Sequence, residues 1–434
     1  MLLCLLSCSS ARAEDLLDIY ELARQHDPLI QAAQFANLAT RESLRQAYSG
    51  LLPTLSAGAE YDLTRQEILD SDNPLFQEGT SDFGGYDLSL TLNQPLFRYA
   101  AIVSVRQAKD VVARSGLEYF VAEQELVLRV AELYLQALSA QDDLGFARAE
   151  QAALQLHYER AQGQQARGLI PVTDLYDAQA RLAAAQEREF SAKDAQDDAF
   201  EGLREVSDNR VANPAGIKEE LPLGPPDPAT VEQWIEAGLK QNLALQVQAL
   251  TVDVASREVD RRQAGHLPTL DLVARGNRQR TGGDLFGKGR DTEILNVGVE
   301  LRLPLYQGGL VNSQVKEATY LYQRARKEHE RLVRSVERTT RSAYWGVISA
   351  IGRVEALQQS VAALELALDG RQKGFRSGLF PSLDVLDGVR DLFRSRRDYA
   401  RARYDYILNS LRLKQMVGTL SEKDIVAVNQ WLAE

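Results

Sequence analysis

Asp384 and Asp387 follow Pro381 at a spacing of i and i+3, which puts two carboxylates on one face of a first helical turn. On an isolated helix such a pair is explained by its placement against the positive end of the helix dipole; repeated around an opening, it would hold cations. Asp174 and Asp177 repeat the spacing after Pro171, and for Asp177 the dipole explanation suffices. The four histidines, His26, His157, His266 and His329, are scattered through helical patterns or beside turns. They show no metal-ligand spacing, and the chain has neither a nucleophile elbow nor a phosphate loop. Surface positions are expected for them, with no enzyme chemistry, cofactor or dedicated metal site.

The elements that would position the carboxylates are read from the period of the apolar residues. In LRLPLYQGGLVNSQV, from Leu301 to Val315, the rhythm changes from two residues to helical. Leu295, Val297, Val299, Leu301 and Leu303 alternate as in a strand with one apolar face; Pro304 stops the ladder, and Gly308-Gly309 lets the backbone turn into a long helix. The same switch, without the glycines, occurs around Pro95. There Tyr86, Leu88, Leu90 and Leu92 alternate before a helix begins.

The sequence is duplicated. Helical patterns at 15–49 and 229–263 each end in an identical LPTL, at Leu52 and Leu267, which opens a strand, a polar loop (67–84 and 282–292) and a returning strand. Alternating segments of about ten residues are the mark of outer-membrane barrel strands, although a soluble sheet with one wet face reads the same way. Two long helices follow. Leu126, Val130, Leu133, Ala137, Ala140 and Leu144 keep a 4-3 spacing that reappears, 210 residues on, as Val336, Thr340, Ala343, Val347, Ala350 and Val354. A shared heptad register implies left-handed coiled-coil packing. The first of these helices, from about 100 to 167, would run on the order of 100 Å at 1.5 Å per residue. Each breaks at a matched turn, Arg167-Gly168-Leu169-Ile170-Pro171 and Ser377-Gly378-Leu379-Phe380-Pro381, and returns as an antiparallel helix.

Composition bounds the reading. A net charge of −11 argues against binding a nucleic-acid backbone. Both cysteines, Cys4 and Cys8, precede Ala11-Arg12-Ala13, a processing site that predicts residues 1–13 as a signal peptide; the lack of Lys or Arg in the first residues is explained by a start upstream of Met1. Lipidation of Cys8 is disfavoured by the bulky Leu6. No apolar run is long enough for a membrane helix, so any crossing falls to strands. The expected organisation is a first repeat at 14–212, a Pro-rich linker at 213–228, a second repeat at 229–418 and a segment at 419–434 packing beside them near an equatorial region.

The expected fold is α+β, with coiled-coil hairpins and four strands per chain. Four strands do not close a barrel, which takes about eight or more, so several chains must contribute. A coiled-coil scaffold of the envelope with no channel activity is the alternative; it explains the heptads and leaves the alternating segments unused.

LPLYQGGLVNSQV, LPTLDL, DVLD at Asp384 to Asp387, ARYDYILNSL and the terminal MVGTLSEKDIVAVNQ resemble, in residue and order, the TolC family of outer-membrane efflux proteins. The resemblance covers roughly residues 14 to 434. It implies a homotrimer with a twelve-stranded barrel in outer-membrane lipid and a periplasmic α-helical tunnel. It implies as partners a periplasmic adaptor (membrane fusion) protein and an inner-membrane pump of the RND, ABC or MFS type, the whole forming an exit duct for drugs or secreted proteins. On this resemblance Asp384 and Asp387 ring the tunnel mouth as a cation trap, and Gly168, Leu169, Pro171, Gly378, Leu379 and Pro381 form the tips offered to the adaptor. Their other explanation is ordinary interhelical turn chemistry. The family's entrance is latched by a tyrosine and an arginine, the arginine reaching toward positions matching Thr173 and Asp174. Here Phe375 and Phe380 occupy the two latch positions, so closure by aromatic packing is expected in place of a charge-assisted link.

Overall fold

The computed structural model describes residues 15–433 apart from 71, 73–77, 210, 212, 219–220, 285–286 and 378, and the backbone alone of 284, 287 and 288. The expected signal peptide with Cys4 and Cys8, and the tip glycine Gly378, lie outside the described residues. Helices and strands follow in the order α1 (Leu16–His26), α2 (Pro28–Ser49), β1 (Thr54–Ile68), β2 (Gly79–Phe97), α3 (Tyr99–Gln165) and α4 (Val172–Ser207). The same order then returns as α5 (Val231–Gln241), α6 (Leu243–Gln263), β3 (Thr269–Asp284), β4 (Gly287–Arg302), α7 (Leu310–Arg376) and α8 (Ser382–Val417), closed by α9 (Glu422–Asn429). No helix among the described residues is long and apolar enough to cross a membrane.

Two differences from the sequence pattern have local causes. The helix expected over 15–49 is broken between α1 and α2 because the Asp27 carboxylate accepts the Ile30 amide at 3.2 Å and so caps a new helix at Pro28. Asn242 does the same between α5 and α6: its Oδ1 accepts the Leu245 amide at 2.9 Å and its amide donates to the Met416 carbonyl at 2.8 Å. The strands also run on into stretches whose polarity reads as loop. Arg65 pairs bidentately with Asp82 at 2.7 Å, holding β1 and β2 together beyond the apolar rows.

The chain divides into two compact units that cut across the duplication. One draws on the stretches up to Phe35, Leu117–Gln246 and Glu330 onward; the other on Ala36–Gly116 and Val247–His329. The first unit holds the main core. Leu16 and Ile19 of α1, Leu126, Val130 and Tyr134 of α3, Leu203 of α4, Ile407 and Leu413 of α8 and Ile425 of α9 are almost completely buried there. The heptad positions of the sequence are the ones that fill it, with Ala137, Val347, Ala350 and Val354 among the buried residues. The closing α9 is fastened by a capping box between Ser421 and Asp424 and by a bridge pairing Ile217 with Leu432.

The second unit is a four-stranded antiparallel sheet in the order β1-β2-β3-β4, with α2, α6 and the near ends of α3 and α7. Register makes one face apolar. Leu55 pairs with Leu92, Leu92 with Ala274 and Ala274 with Val297; the next row runs Ala57, Leu90, Gly276 and Leu295. Leu55, Leu295, Val297, Val299 and Leu301 are exposed on it. The opposite face carries rows such as Ser56, Thr91, Arg275 and Asn296. On β3 and β4 the apolar rows end where Arg278 stands opposite Glu293, while Tyr61 and Leu63 carry the apolar face further along β1. An exposed apolar band on one face and a polar face behind it is how a sheet meets lipid on one side and water on the other. The outer edges of β1 and β4 have no partner strand among the described residues. Gly308 and Gly309, at φ +61° and +82°, make the left-handed turn between β4 and α7 that the sequence assigns to them.

Candidate functional site

The candidate site is the pair of helical turns that end the α3/α4 and α7/α8 hairpins. At the first, Gly168 adopts φ +71° and its amide donates to the Gln165 carbonyl at 2.8 Å, while the Leu169 amide reaches the Gln164 carbonyl at 3.0 Å. This is a Schellman ending, for which a residue without Cβ is needed at the left-handed position. The second turn makes the corresponding long bond, Leu379 amide to Gly374 carbonyl at 2.8 Å. Pro171 and Pro381 then sit at the N-caps of α4 and α8 in extended conformation with no side-chain cap. The first turns are served instead by Asp174 and Asp384, the acidic residues beside their orphan amides.

Both tips present apolar side chains to solvent. Leu169 is 66% and Leu379 78% exposed, with Val172, Tyr176 and Leu383 also exposed nearby and Ile170 half-buried. Isolated exposed leucines are ordinary on a protein surface; here each of the two hairpin ends carries one. Behind them Leu154, Leu182, Ala185, Leu386 and Val389 form a separate small core that fixes one hairpin against the other.

That small core decides what the carboxylates meet. Arg181 Nη1 of α4 lies 2.9 Å from Asp387 Oδ1, and Arg390 Nη1 lies 3.4 Å from the same oxygen. Asp384 has no ion-pair partner among the described residues; its backbone carbonyl accepts from Arg371 Nη1 at 3.3 Å. The two carboxylates therefore differ: Asp387 has two arginines against one oxygen, and Asp384 has no ion pair among the described residues. Thr173 Oγ1 stands 3.5 Å from Asp174 Oδ1. Phe375 is half-buried, and the Phe380 ring lies over Gly374 of its own hairpin, where a Cβ would come within 2.2 Å of Cδ2.

Sequence reasoning missed Arg181, Arg371 and Gly374. Nothing in the linear pattern marks Arg181, because its partner lies in the other copy. A glycine in the last turns of a long helix, five residues ahead of Leu379, is a signal that could have found Gly374.

Higher along the hairpins, Tyr404 Oη of α8 donates to Asp142 Oδ2 of α3 at 2.6 Å, and Arg401 pairs with the neighbouring Asp143. Burial pushes the Asp142 carboxyl above the usual range, opposed by the Tyr404 hydrogen bond and Arg403. His157 on α3 is held below the ordinary histidine value, by burial first and by Arg160 second. In the second unit Glu258 would be raised by burial. Hydrogen bonds from Arg261, Arg262 and Gln107 overcome this and bring it down to about 2.

The arrangement matches known proteins over nearly its whole length. A family profile described as outer membrane efflux protein matches residues 19–207 and 234–419. The chain is 31% identical to outer membrane protein TolC of Vibrio cholerae over 426 residues, which is 98% of this chain and 95% of that one. It is 30% identical to proteases secretion protein PrtF of Dickeya chrysanthemi over 435 residues, 98% of this chain and 93% of that one. Among solved structures, the Campylobacter jejuni CmeC outer membrane channel superposes with a TM-score of 0.80 at 16% identity, covering 96% of this chain and 90% of that one.

Proposed function

This chain belongs to the outer membrane efflux protein family, and we propose that it works as a homotrimer whose twelve strands close a barrel and whose hairpins close a tunnel. It resides in the outer membrane, extends into the periplasm and is an exit duct for substrates delivered from the inner membrane. The observation that carries this is the open four-stranded sheet with an exposed apolar face, in a chain that also holds two hairpins of 67- and 36-residue helices. Unpaired edges on β1 and β4 call for the same edges of other copies. On this reading residues 1–13 are a cleaved export signal, 14–212 and 229–418 two copies joined by the linker 213–228, and 419–434 a closing segment.

The tips at Gly168–Pro171 and at Leu379–Pro381 dock a periplasmic adaptor, and a pump of the RND, ABC or MFS type feeds the duct. The chain matches both a profile described as outer membrane efflux protein and a relative named for protease secretion, so on this reading the cargo is set by the pump. Asp384 is the main cation-holding group at the mouth, with Asp387 contributing where Arg181 releases it. Closure rests on Phe375 and Phe380. Phe380→Arg is expected to create a link to Asp174 and lower the resting conductance, an effect that Asp174→Ala reverses.

Single-channel recording of the detergent-purified protein in a planar bilayer tests the reading. The expected result is a trimer with discrete conductance that polyvalent cations block from the periplasmic side, the block being lost in Asp384→Ala with Asp387→Ala. Soluble rods without conductance would leave the envelope scaffold as the function.

A further inference from the structure

Resting on the trimeric reading, we infer that neighbouring copies join through one face of α4 seated on one face of α7, held by an acidic stripe against a row of arginines. Three observations lead there.

The first is a seam within the chain. Asp142, Asp143 and Glu132 of α3 meet Tyr404, Arg401 and Arg412 of α8, the last pair at 2.7 Å. This seam joins the hairpin of one copy to that of the other. The two hairpins are related by an offset of 210 residues, so α7 stands where α3 stands and α4 where α8 stands. A ring of alternating hairpins needs a second seam between each pair of copies, and the duplication assigns it to α7 and α4.

The second is that both faces are bare. Glu187, Asp194, Asp197, Glu201 and Glu205 fall within one arc of α4, about 100° wide at 3.6 residues per turn, with Asp208 at its C-cap, and all are exposed. Among the described residues only Glu201 of these has an ion-pair partner, Arg204 at 3.0 Å on its own helix. On α7, Arg331, Arg334, Arg338 and Arg341 lie on a 3-4-3 stripe, all exposed, and no carboxylate of the described residues pairs with any of them. Nine charges of two opposite signs, none with an ion pair among the described residues, on two helix faces with the same heptad spacing, are complementary in sign and in period.

The third is size. The α4 stripe is interrupted by Phe190, 74% exposed, and the α7 stripe continues past Trp345, 54% exposed, into Gly352 and Ala356. Applying the offset to the Asp142–Tyr404 contact sets Gly352 opposite Asp194 of the neighbour. The Phe190 ring then meets the small side of α7, and Arg338 and Arg341 meet Glu205 and Asp208. The charge order is the reverse of the internal seam, where the acids sit on the ascending helix and the bases on the returning one. Reversed polarity keeps the two seams from exchanging partners, since an α4 seated on α3 would set acid against acid.

The test uses the full-length protein in detergent. Its own cysteines, Cys4 and Cys8, both lie in the first eight residues, so Gly352→Cys with Asp194→Cys is expected to give covalent dimers and trimers on mild oxidation, while either substitution alone gives none. Arg338→Glu with Arg341→Glu is expected to abolish the trimer on native gels, and adding Glu205→Arg with Asp208→Arg to restore it. A wild-type protein that runs as a single chain would overturn the trimeric reading itself. A stable wild-type trimer that neither cross-links at this pair nor responds to the charge reversal would overturn the seam alone.

Discussion

The two hairpins share a fold and a register but carry opposite charge. Helix α4 has nine acids and four bases, whereas α8, its counterpart, has five acids and eight bases. Helix α3 has nine acids against six bases, and α7 seven against twelve. What the copies hold in common is the buried seam. Tyr134 and Tyr344, 210 residues apart, are both buried, and each donates its hydroxyl to a carbonyl of the connecting segments, Ala215 at 2.8 Å and Ala229 at 2.6 Å. Burial with a paired hydroxyl fixes the fold, and the exposed faces are free to differ. The difference teaches that stability is written in what the duplication kept, and assembly in what it changed.

The largest expected effect breaks both copies alike. Tyr134→Ala empties a fully buried site and is expected to cost on the order of 3–5 kcal/mol, with Tyr344→Ala close behind. Tyr→Phe at either position leaves a carbonyl without its donor and costs about 1 kcal/mol. Denaturant titration in detergent, followed by circular dichroism, reads both. If Tyr344→Ala were harmless while Tyr134→Ala unfolded the protein, the two seams would not be equivalent.

A smaller effect separates the tips. Arg181 and Asp387 have side chains 27% and 33% exposed and lie 2.9 Å apart, so Asp387→Asn is expected to cost about 1 kcal/mol after allowance for solvent screening. Asp177, its counterpart in the first copy, is exposed and has no ion pair among the described residues, and Asp177→Asn is expected to stay within about 0.5 kcal/mol of the parent. Equal losses would mean that the copies use their second carboxylates alike. The pair Gly374 and Phe380 sharpens the same contrast. Gly374→Ala gains helix propensity of about 1 kcal/mol but evicts the ring, so it is expected to lower stability on denaturant titration despite that gain, whereas Gln164→Ala at the matching place in the first copy stays within about 0.5 kcal/mol of the parent.

How far the sequence carried this reading varies with the range of the interaction. The seam was legible because Leu126, Val130 and their successors keep one period over many turns, and the strands because Leu295 to Leu303 alternate. The turns were legible because Gly308, Gly309 and Gly168 are needed where φ is positive. The break at Asp27 was not, since its carboxylate is held by Arg129 from a distant helix as well as by the local cap. The same holds at the mouth: Asp384 and Asp387 look identical in the linear pattern, and only the packing of Leu182 on Leu386 brings Arg181 to one of them. Pairings between the copies depend on which residues face each other after folding, which no local period encodes.

The smallest effect is a pH dependence that belongs to one copy alone. Asp142 is raised from the ordinary 3.8, by burial first, while the Tyr404 hydroxyl and Arg403 pull it down and Asp143 adds to the rise. The folded state therefore holds this proton more tightly than the unfolded chain. The stability it contributes is fully present below the unfolded value of 3.8 and is lost as pH rises through the raised folded value. At neutral pH the charged Asp142 weighs against folding, and Asp142→Asn removes that burden while its amide oxygen still accepts the Tyr404 hydroxyl. The variant is expected to be slightly more stable than the parent at pH 7, by less than about 1 kcal/mol, and to show a flatter stability curve between about pH 4 and 7. The second copy has Gly352 at the matching position and offers no such titration, so Gly352→Ala is expected to leave the slope unchanged. A steeper slope in Asp142→Asn, or a loss of stability at pH 7 larger than at pH 4, would show that the carboxylate is stabilised by its partners more than burial opposes it.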